Sequence, residues 1–147
     1  MNKTLFYGDS MLIGSGLDGD FVPGRTIADA LRDEDKEIGI NLSLSESKYK
    51  NLVICLGTND LASYGATEAI KLIKQLLDVI IFNGQIFIMG WPHESEKTNW
   101  LLESSLPAPV LFIPFEMEQS DFSSDGVHLN ASGFAKIIEE ITFQLEC

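Results

Sequence analysis

The sequence predicts an α/β fold built around a mainly parallel β-sheet. Short segments of almost continuous apolar residues recur along the 147-residue chain, and each is followed directly by Gly or Pro. Such segments are typical of strands buried on both faces, as in parallel sheets covered by helices. Amphipathic helical patterns lie between these segments, and this alternation favours parallel strands joined by right-handed crossovers.

Five segments are predicted as strands. Four of them are chosen for their apolar character, and the fifth, Asp20–Val22, is placed beside the first. The four apolar strands are Lys3–Tyr7, Asn51–Leu56, Gln85–Met89 and Val110–Ile113.

Four segments are predicted as helices. Thr67–Phe82 and Ala131–Leu145 carry apolar residues at a spacing of three and four, with polar residues on the opposite face. Asn130 is the expected N-cap of the second of these helices. Thr26–Asp33 and Thr98–Ser104 are shorter candidates.

The segment Ile38–Tyr49 has the alternating pattern of a strand. Only about six residues separate its last alternating apolar residue, Leu44, from Asn51, whereas a parallel crossover needs a dozen or more. We therefore expect an antiparallel partner, an edge piece or irregular structure there.

The charge balance restricts the classes of partner. The chain has 10 Lys+Arg and 22 Asp+Glu, which gives a net charge of −12, and 45% of its residues are hydrophobic. This acidity disfavours nucleic acid and anionic membranes, because affinity for phosphates comes mainly from Lys and Arg. We expect one globular domain over residues 1–147 that binds neither.

Other classes are disfavoured by the apolar and cysteine patterns. No apolar run approaches the ~20 residues that a membrane span needs, and the N-terminal segment lacks the core of a signal peptide. Cys55 and Cys147 are expected to be free thiols, and no Cys/His cluster suggests structural zinc. These features favour a cytoplasmic location.

Polar residues cluster directly after the predicted strands. In an open parallel sheet, functional groups gather at the carboxyl ends of the strands. The clusters are Gly8-Asp9-Ser10, Gly57-Thr58-Asn59-Asp60, Gly90-Trp91-Pro92-His93 and, after the fourth apolar strand and a loop, Asp125-Gly126-Val127-His128-Leu129.

These clusters contain the residue types of a nucleophilic triad. A serine hydroxyl needs a base, and that base needs a third group to hold its tautomer. Ser10 follows the first strand, and His128 has Asp125 three residues before it. Asn59 follows a neighbouring strand and offers an amide donor for a developing oxyanion.

Three of these clusters, together with a glycine-containing segment after the second predicted strand, resemble the four blocks of the SGNH hydrolases, also called GDSL-type esterases. Gly8-Asp9-Ser10 resembles the first block, Pro23-Gly24-Arg25 the second, Gly57-Thr58-Asn59-Asp60 the third and Asp125–His128 the last. The resemblance covers residues 3–145. No GxSxG elbow is present, which argues against the α/β-hydrolase fold.

The resemblance implies a flavodoxin-like three-layer α/β/α sandwich with about five strands. It implies hydrolysis of esters or thioesters through an acyl-serine, without metal or cofactor. Ser10 is then the nucleophile, His128 the base and Asp125 its orienting partner. The N–H groups of Ser10 and Gly24 and the amide of Asn59 form the oxyanion hole. Three glycines compete with Gly24 for this role: Gly14, Gly16 and Gly19.

The remaining candidates have supporting roles. Asp9 is predicted to hydrogen-bond backbone N–H groups near the nucleophile, and Asp60 to be a helix N-cap. Trp91 and His93 are candidate substrate-binding residues, and Trp100 is a candidate aromatic platform. The alternative for His93 is a loop histidine without a substrate role, and the alternative for the two tryptophans is ordinary packing.

The sequence thus predicts a serine ester hydrolase for short acyl groups, such as the O-acetyl groups of carbohydrates. The expected location is the cytoplasm, and association with a virus particle is also compatible with the sequence. An O-acyltransferase with the same triad, a non-catalytic binding module and a nucleotide- or flavin-binding protein are the alternatives, the last without any GxGxxG or P-loop motif. The oligomeric state stays open.

Overall fold

The computed structural model of the chain describes residues 3–32, 39–45 and 48–146. Within these ranges the chain forms five strands, six α-helices and two short 3-10 helices, Ser10–Leu12 and Gln119–Asp121. In chain order, the strands and α-helices are β1 (Thr4–Gly8), β2 (Asp20–Phe21), α1 (Ile27–Leu31), α2 (Ile40–Ser45), β3 (Asn51–Cys55), α3 (Thr58–Tyr64), α4 (Ala66–Val79), β4 (Gln85–Met89), α5 (Glu96–Ser105), β5 (Leu111–Ile113) and α6 (Ala131–Glu146).

The strands of the described residues form one sheet in the order β2-β1-β3-β4-β5, and all neighbouring pairs are parallel. The predicted α/β class with a parallel sheet is confirmed. The strand order reverses at β1, so the carboxyl ends of β1 and β3 flank the point where open α/β sheets form a ligand crevice. Gly8 pairs with Cys55 at this edge.

Helices cover both faces of the sheet. Successive side chains of a strand point to opposite faces, so Leu52 and Ile54 of β3 enter one core while Val53 and Cys55 enter the other. The first core is completed by α1, α2, α4 and α5, and the second by α6 and the 3-10 helix Ser10–Leu12. The result is the three-layer sandwich that the family resemblance implies.

Most element boundaries agree closely with the sequence prediction. β4 has the predicted bounds, β3 and β5 differ by one residue at one end, and β1 is shifted by one residue at both ends. The strand expected at Asp20–Val22 lies beside β1, as β2. Asn130 caps α6, because its Oδ1 accepts the Gly133 N–H at 3.1 Å. Across the described residues, no helix has both the length and the apolar character needed to cross a membrane.

Helix α4 ends at Val79, three residues before the predicted end at Phe82. Asn41 of α2 explains the difference. Its side-chain amide donates to Val79 O and its Oδ1 accepts the Ile81 N–H, both at 2.8 Å. These bonds satisfy the backbone groups where the chain leaves the helix, and the sequence of α4 carries no sign of them.

The expectation for Ile38–Tyr49 is wrong over Ile40–Ser45, which forms α2. Ile40 and Leu44 are buried in the first core, and a spacing of four residues places them on one helix face. An alternating pattern contains residues four apart, such as Ile40 and Leu44, so it fits a helix face as well as a strand period. Ile38, Glu46 and Ser47 lie outside the described residues, as do Asp33 and Cys147.

Trp91 anchors the chain directly after β4. Its side chain is 1% exposed, and its Nε1 donates to Leu56 O at 2.9 Å. The ring lies against Gly57, which has a φ of +123° and leaves no room for a Cβ atom beside the indole. Gly57 is therefore required both for its backbone conformation and for this close approach.

We expect Gly57→Ala to lower the free energy of unfolding by about 1–3 kcal/mol more than Gly16→Ala, since an added methyl group overpacks the indole. Gly16 is a matched control because its φ is also positive (+87°), but an added Cβ would meet no atom of the described residues within 4 Å apart from its chain neighbours. Urea unfolding of both variants measures the difference. Equal losses would contradict the packing role of Trp91.

Candidate active site

Ser10 follows β1 and begins the 3-10 helix Ser10–Leu12. Gly8 allows β1 to end against β3, because a Cβ on Gly8 would lie 2.5 Å from Cys55 O. The Asp9 N–H donates to Cys55 O at 3.2 Å, and Asp9 Oδ1 accepts the Met11 N–H at 3.0 Å. These contacts hold the half-buried Ser10 at the carboxyl edge of the sheet.

Asp125 organises the loop that carries His128. Its Oδ1 accepts the N–H groups of Val127 (2.8 Å) and His128 (2.9 Å) and the hydroxyl of Ser123 (2.8 Å). Its Oδ2 lies 2.7 Å from His128 Nδ1. These hydrogen bonds, the one from the His128 side chain above all, hold the pKa of Asp125 well below its usual range. Asp125 is therefore ionised at neutral pH.

The structure brings Ser10, His128 and Asp125 into one hydrogen-bonded chain. Ser10 Oγ lies 3.0 Å from His128 Nε2, although the two residues are 118 positions apart in the sequence. Because the ionised Asp125 can only accept a hydrogen bond, Nδ1 carries the proton in a neutral His128, and the unprotonated Nε2 accepts a hydrogen bond from the Ser10 hydroxyl. This geometry is suited to removing a proton from the hydroxyl.

Asn59 and the turn that contains Gly24 lie next to each other. Asn59 is in the first turn of α3, and its Nδ2 donates to Arg25 O at 3.0 Å. Gly24 has a φ of +78°, and the Arg25 N–H closes the turn onto Val22 O at 3.1 Å. A primary amide has two N–H donors, so Asn59 keeps one beyond the bond to Arg25. This contact favours Gly24 over Gly14, Gly16 and Gly19.

The Arg25 side chain ties this turn to β1 and β2. It is buried, and its guanidinium donates to Gly8 O (3.2 Å), Asp20 O (2.7 Å) and Asp20 Oδ1 (3.1 Å). It also stacks over the Tyr7 ring, 4.0 Å from the centroid. Sequence reasoning missed this role. The signal in the sequence was that Arg25 directly follows the turn glycine Gly24 and lies five positions after Asp20, in the strand predicted beside β1.

Two buried carboxyl groups lie beneath the site. Asp9 accepts a backbone hydrogen bond as predicted, and burial raises its pKa to about 6. The expected N-cap role of Asp60 is wrong for its own helix, where Gly57 is the N-cap. Asp60 instead accepts the Ile27 N–H at 2.8 Å and thereby caps the start of α1; burial raises its pKa too. The second oxygen of each carboxyl has no hydrogen-bond partner among the described residues.

The structure separates the three candidate substrate-binding residues. Trp91 is buried in the core, where a substrate cannot contact its side chain, so the prediction that it binds substrate directly is wrong. Trp100 is 64% exposed and lines a groove of about 570 Å³ whose rim carries carboxylates. His93 is exposed, lines a cleft of about 640 Å³, and contacts the loop of His128.

Within residues 3–32, 39–45 and 48–146, no group of three or more His, Cys, Asp or Glu side chains is placed to hold a metal ion.

Known proteins resemble this chain in structure but not in sequence. No protein-family profile and no curated protein matches it. A crystal structure of a mutant acetyl esterase with an acetate ion matches with a TM-score of 0.73 at 16% identity, covering 99% of this chain and 96% of that one. A Clostridium thermocellum family 3 carbohydrate esterase matches with a TM-score of 0.66 at 20% identity, covering 94% and 92%. These likenesses show a shared fold.

The buried Asp9 predicts an unusual dependence of stability on pH. Its pKa rises from 3.8 to about 6 on folding, so its contribution to stability is largest below pH 3.8 and is lost as the pH rises to 6. Asp9→Asn keeps an acceptor for Met11 but cannot ionise. Relative to this variant, we expect the wild type to lose up to about 3 kcal/mol of unfolding free energy between pH 3 and pH 8.

Denaturant unfolding of the wild type and Asp9→Asn across this pH range measures the effect. Asp29→Asn is a control of opposite sign. Partial burial alone would raise the pKa of Asp29, but hydrogen bonds from Thr26 and Arg32 outweigh it and lower the pKa. The wild type should therefore gain stability relative to Asp29→Asn as the pH rises. A pH-independent difference for Asp9→Asn would contradict the assignment.

Proposed function

We propose that this chain is a serine hydrolase of carboxylic esters of the SGNH type, with residues 1–147 forming one catalytic domain. The observation that carries the proposal is the hydrogen-bonded chain from Ser10 Oγ through His128 to Asp125, with separations of 3.0 Å and 2.7 Å. A non-catalytic module predicts that Ser10 and His128 lie too far apart to hydrogen-bond. The esterase fold of the structural neighbours adds support.

The first half of the reaction forms an acyl-serine. Ser10 Oγ attacks the ester carbonyl carbon while His128 Nε2 takes the hydroxyl proton. Asp125 holds the imidazole at Nδ1 and stabilises its charged form. The tetrahedral intermediate collapses when the bond to the alkoxide breaks, and His128 returns the proton to the leaving alcohol.

The second half releases the acid. His128 Nε2 takes a proton from a water molecule, which attacks the acyl carbon, and the proton then passes to Ser10 Oγ as the acyl–oxygen bond breaks. In both halves the negative charge develops on the carbonyl oxygen. We assign its stabilisation to the N–H groups of Ser10 and Gly24 and to the second amide N–H of Asn59, because the Asn59–Arg25 hydrogen bond joins α3 to the turn that contains Gly24.

The substrate is proposed to be a short-chain acyl ester, with carbohydrate O-acetyl groups as the preferred class. The structural neighbours reported above are an acetyl esterase and a carbohydrate esterase. The net charge of −12 disfavours polyanionic substrates. An acyltransferase would use the same acyl-serine and would be recognised by a sugar or alcohol acceptor that accelerates deacylation more than water does.

Ser10→Ala should reduce turnover of p-nitrophenyl acetate by about 10³-fold or more, because the nucleophile is lost. Ser104→Ala is the matched control, since Ser104 is an exposed residue of α5 whose hydroxyl donates to Leu101 O of the same helix. The same assay should show faster turnover of the acetyl than of the decanoyl ester. Wild-type turnover by Ser10→Ala would refute the proposed function, and equal rates on the two esters would contradict the short-acyl preference.

Asn59→Asp should lower kcat by about 10²–10³-fold while leaving KM nearly unchanged, because the lost donor acts on charge that develops in the transition state. The side chain keeps its size but no longer donates. Thermal unfolding of the variant controls for the lost bond to Arg25 O. A variant that keeps its kcat would remove Asn59 from the oxyanion hole.

A further inference from the structure

We propose that His93 is a positioning residue that holds the backbone of His128 in the orientation needed to reach Ser10. This inference rests on the proposed function and deepens it. His93 Nε2 lies 2.8 Å from Val127 O, and Val127 directly precedes His128. Since a carbonyl oxygen can only accept, Nε2 carries the proton of this hydrogen bond.

The hydrogen bond acts on the peptide group that joins Val127 to His128. The carbonyl of this group accepts from His93, and its N–H donates to Asp125 Oδ1 at 2.9 Å. A peptide group is planar, so fixing both its C=O and its N–H fixes the orientation of the whole plane. That plane leads into the Cα atom of His128 and thus sets the direction in which the imidazole leaves the backbone.

Such a hold matters because packing constrains this part of the site little. The side chains of His128 and Asp125 are 48% and 49% exposed. A half-exposed imidazole depends on hydrogen bonds to keep Nε2 3.0 Å from Ser10 Oγ. Small displacements of a reacting group lower the rate steeply, since the barrier depends on its distance and alignment.

The segment that carries His93 is itself firmly held. Trp91 donates its N–H to Asn99 Oδ1 at 2.7 Å and accepts from Asn99 Nδ2 at 2.9 Å. The Trp91 ring is buried, and the Glu94 N–H donates back to Trp91 O at 3.1 Å. The sheet and α5 therefore supply a rigid support from which His93 reaches across to the loop of His128.

A ring contact adds a second link. The His93 ring lies 5.0 Å from the Phe122 ring, with an angle of 30° between the planes. Phe122 pairs with Leu129 in an antiparallel bridge, so it belongs to the base of the same loop. His93 thus touches the loop through both a hydrogen bond and an aromatic contact, and the two can be removed separately.

The test uses His93→Phe, which keeps a ring against Phe122 but has no donor, and His93→Gln, whose amide can donate from a position close to Nε2. We expect His93→Phe to lower kcat for p-nitrophenyl acetate by about 10- to 100-fold with little change in KM. His93→Gln should recover most of this loss. Lys97→Gln, at an exposed position in the first turn of α5, is the control and should keep wild-type kinetics.

Two results would overturn the proposal. Equal kinetics for His93→Phe and His93→Gln would show that the donor is not what matters. A raised KM with an unchanged kcat in both variants would instead make His93 a substrate-binding residue of the adjacent cleft.

Hydrogen exchange separates this inference from the proposed function. If wild-type turnover does not require Ser10, the proposed function fails, but the hold on the peptide group can still be measured. His93→Phe should accelerate exchange of the His128 amide, and His93→Gln should not, because only the former frees Val127 O. Unchanged exchange in His93→Phe would refute the positioning role whatever the activity.

Discussion

The pairing of β1 with β3 is the constraint on which the rest of the site depends. Gly8 and Cys55 pair at the carboxyl edge, and the absence of a side chain at Gly8 lets the two backbones approach closely enough for the Asp9 N–H to reach Cys55 O. The strand order reverses at β1, so the chain segments that follow β1 and β3 border a common crevice. Ser10 and Asn59 come to the same edge for this reason.

The two sides of the site use carboxyl groups in opposite environments. Asp125 is half-exposed and has hydrogen-bond donors at both oxygens, so it stays ionised and can stabilise a charged His128. Asp9 is buried with one oxygen unpartnered among the described residues, and burial raises its pKa. Asp9 supports the turn at Ser10 through the hydrogen bond that it accepts from the Met11 N–H, whereas Asp125 holds His128.

Sequence reasoning succeeded where the relevant contacts are local or periodic. Apolar segments bounded by Gly or Pro located the strands to within one residue at most ends, and the spacing of Asp125 and His128 indicated their pairing. It failed where a remote partner decides the outcome. Ile40–Ser45 has a pattern compatible with both a strand and a helix, and only its burial in the first core distinguishes them. The residues around Trp91 in the sequence do not distinguish a buried tryptophan from an exposed one. The ring is buried because it packs against Gly57, which is remote in the sequence.

By itself, the sequence determined the α/β class, the acidic character of the chain and the residue types available at the strand ends, because these depend on composition and short-range periodicity. Tertiary structure decided which of those residues meet. The 3.0 Å contact of Ser10 with His128 and the bond of Asn59 to Arg25 O join segments far apart in the chain. No local pattern predicts the hydrogen bond from His93 to Val127 O, since it forms only when the segment after β4 lies beside the loop that carries His128.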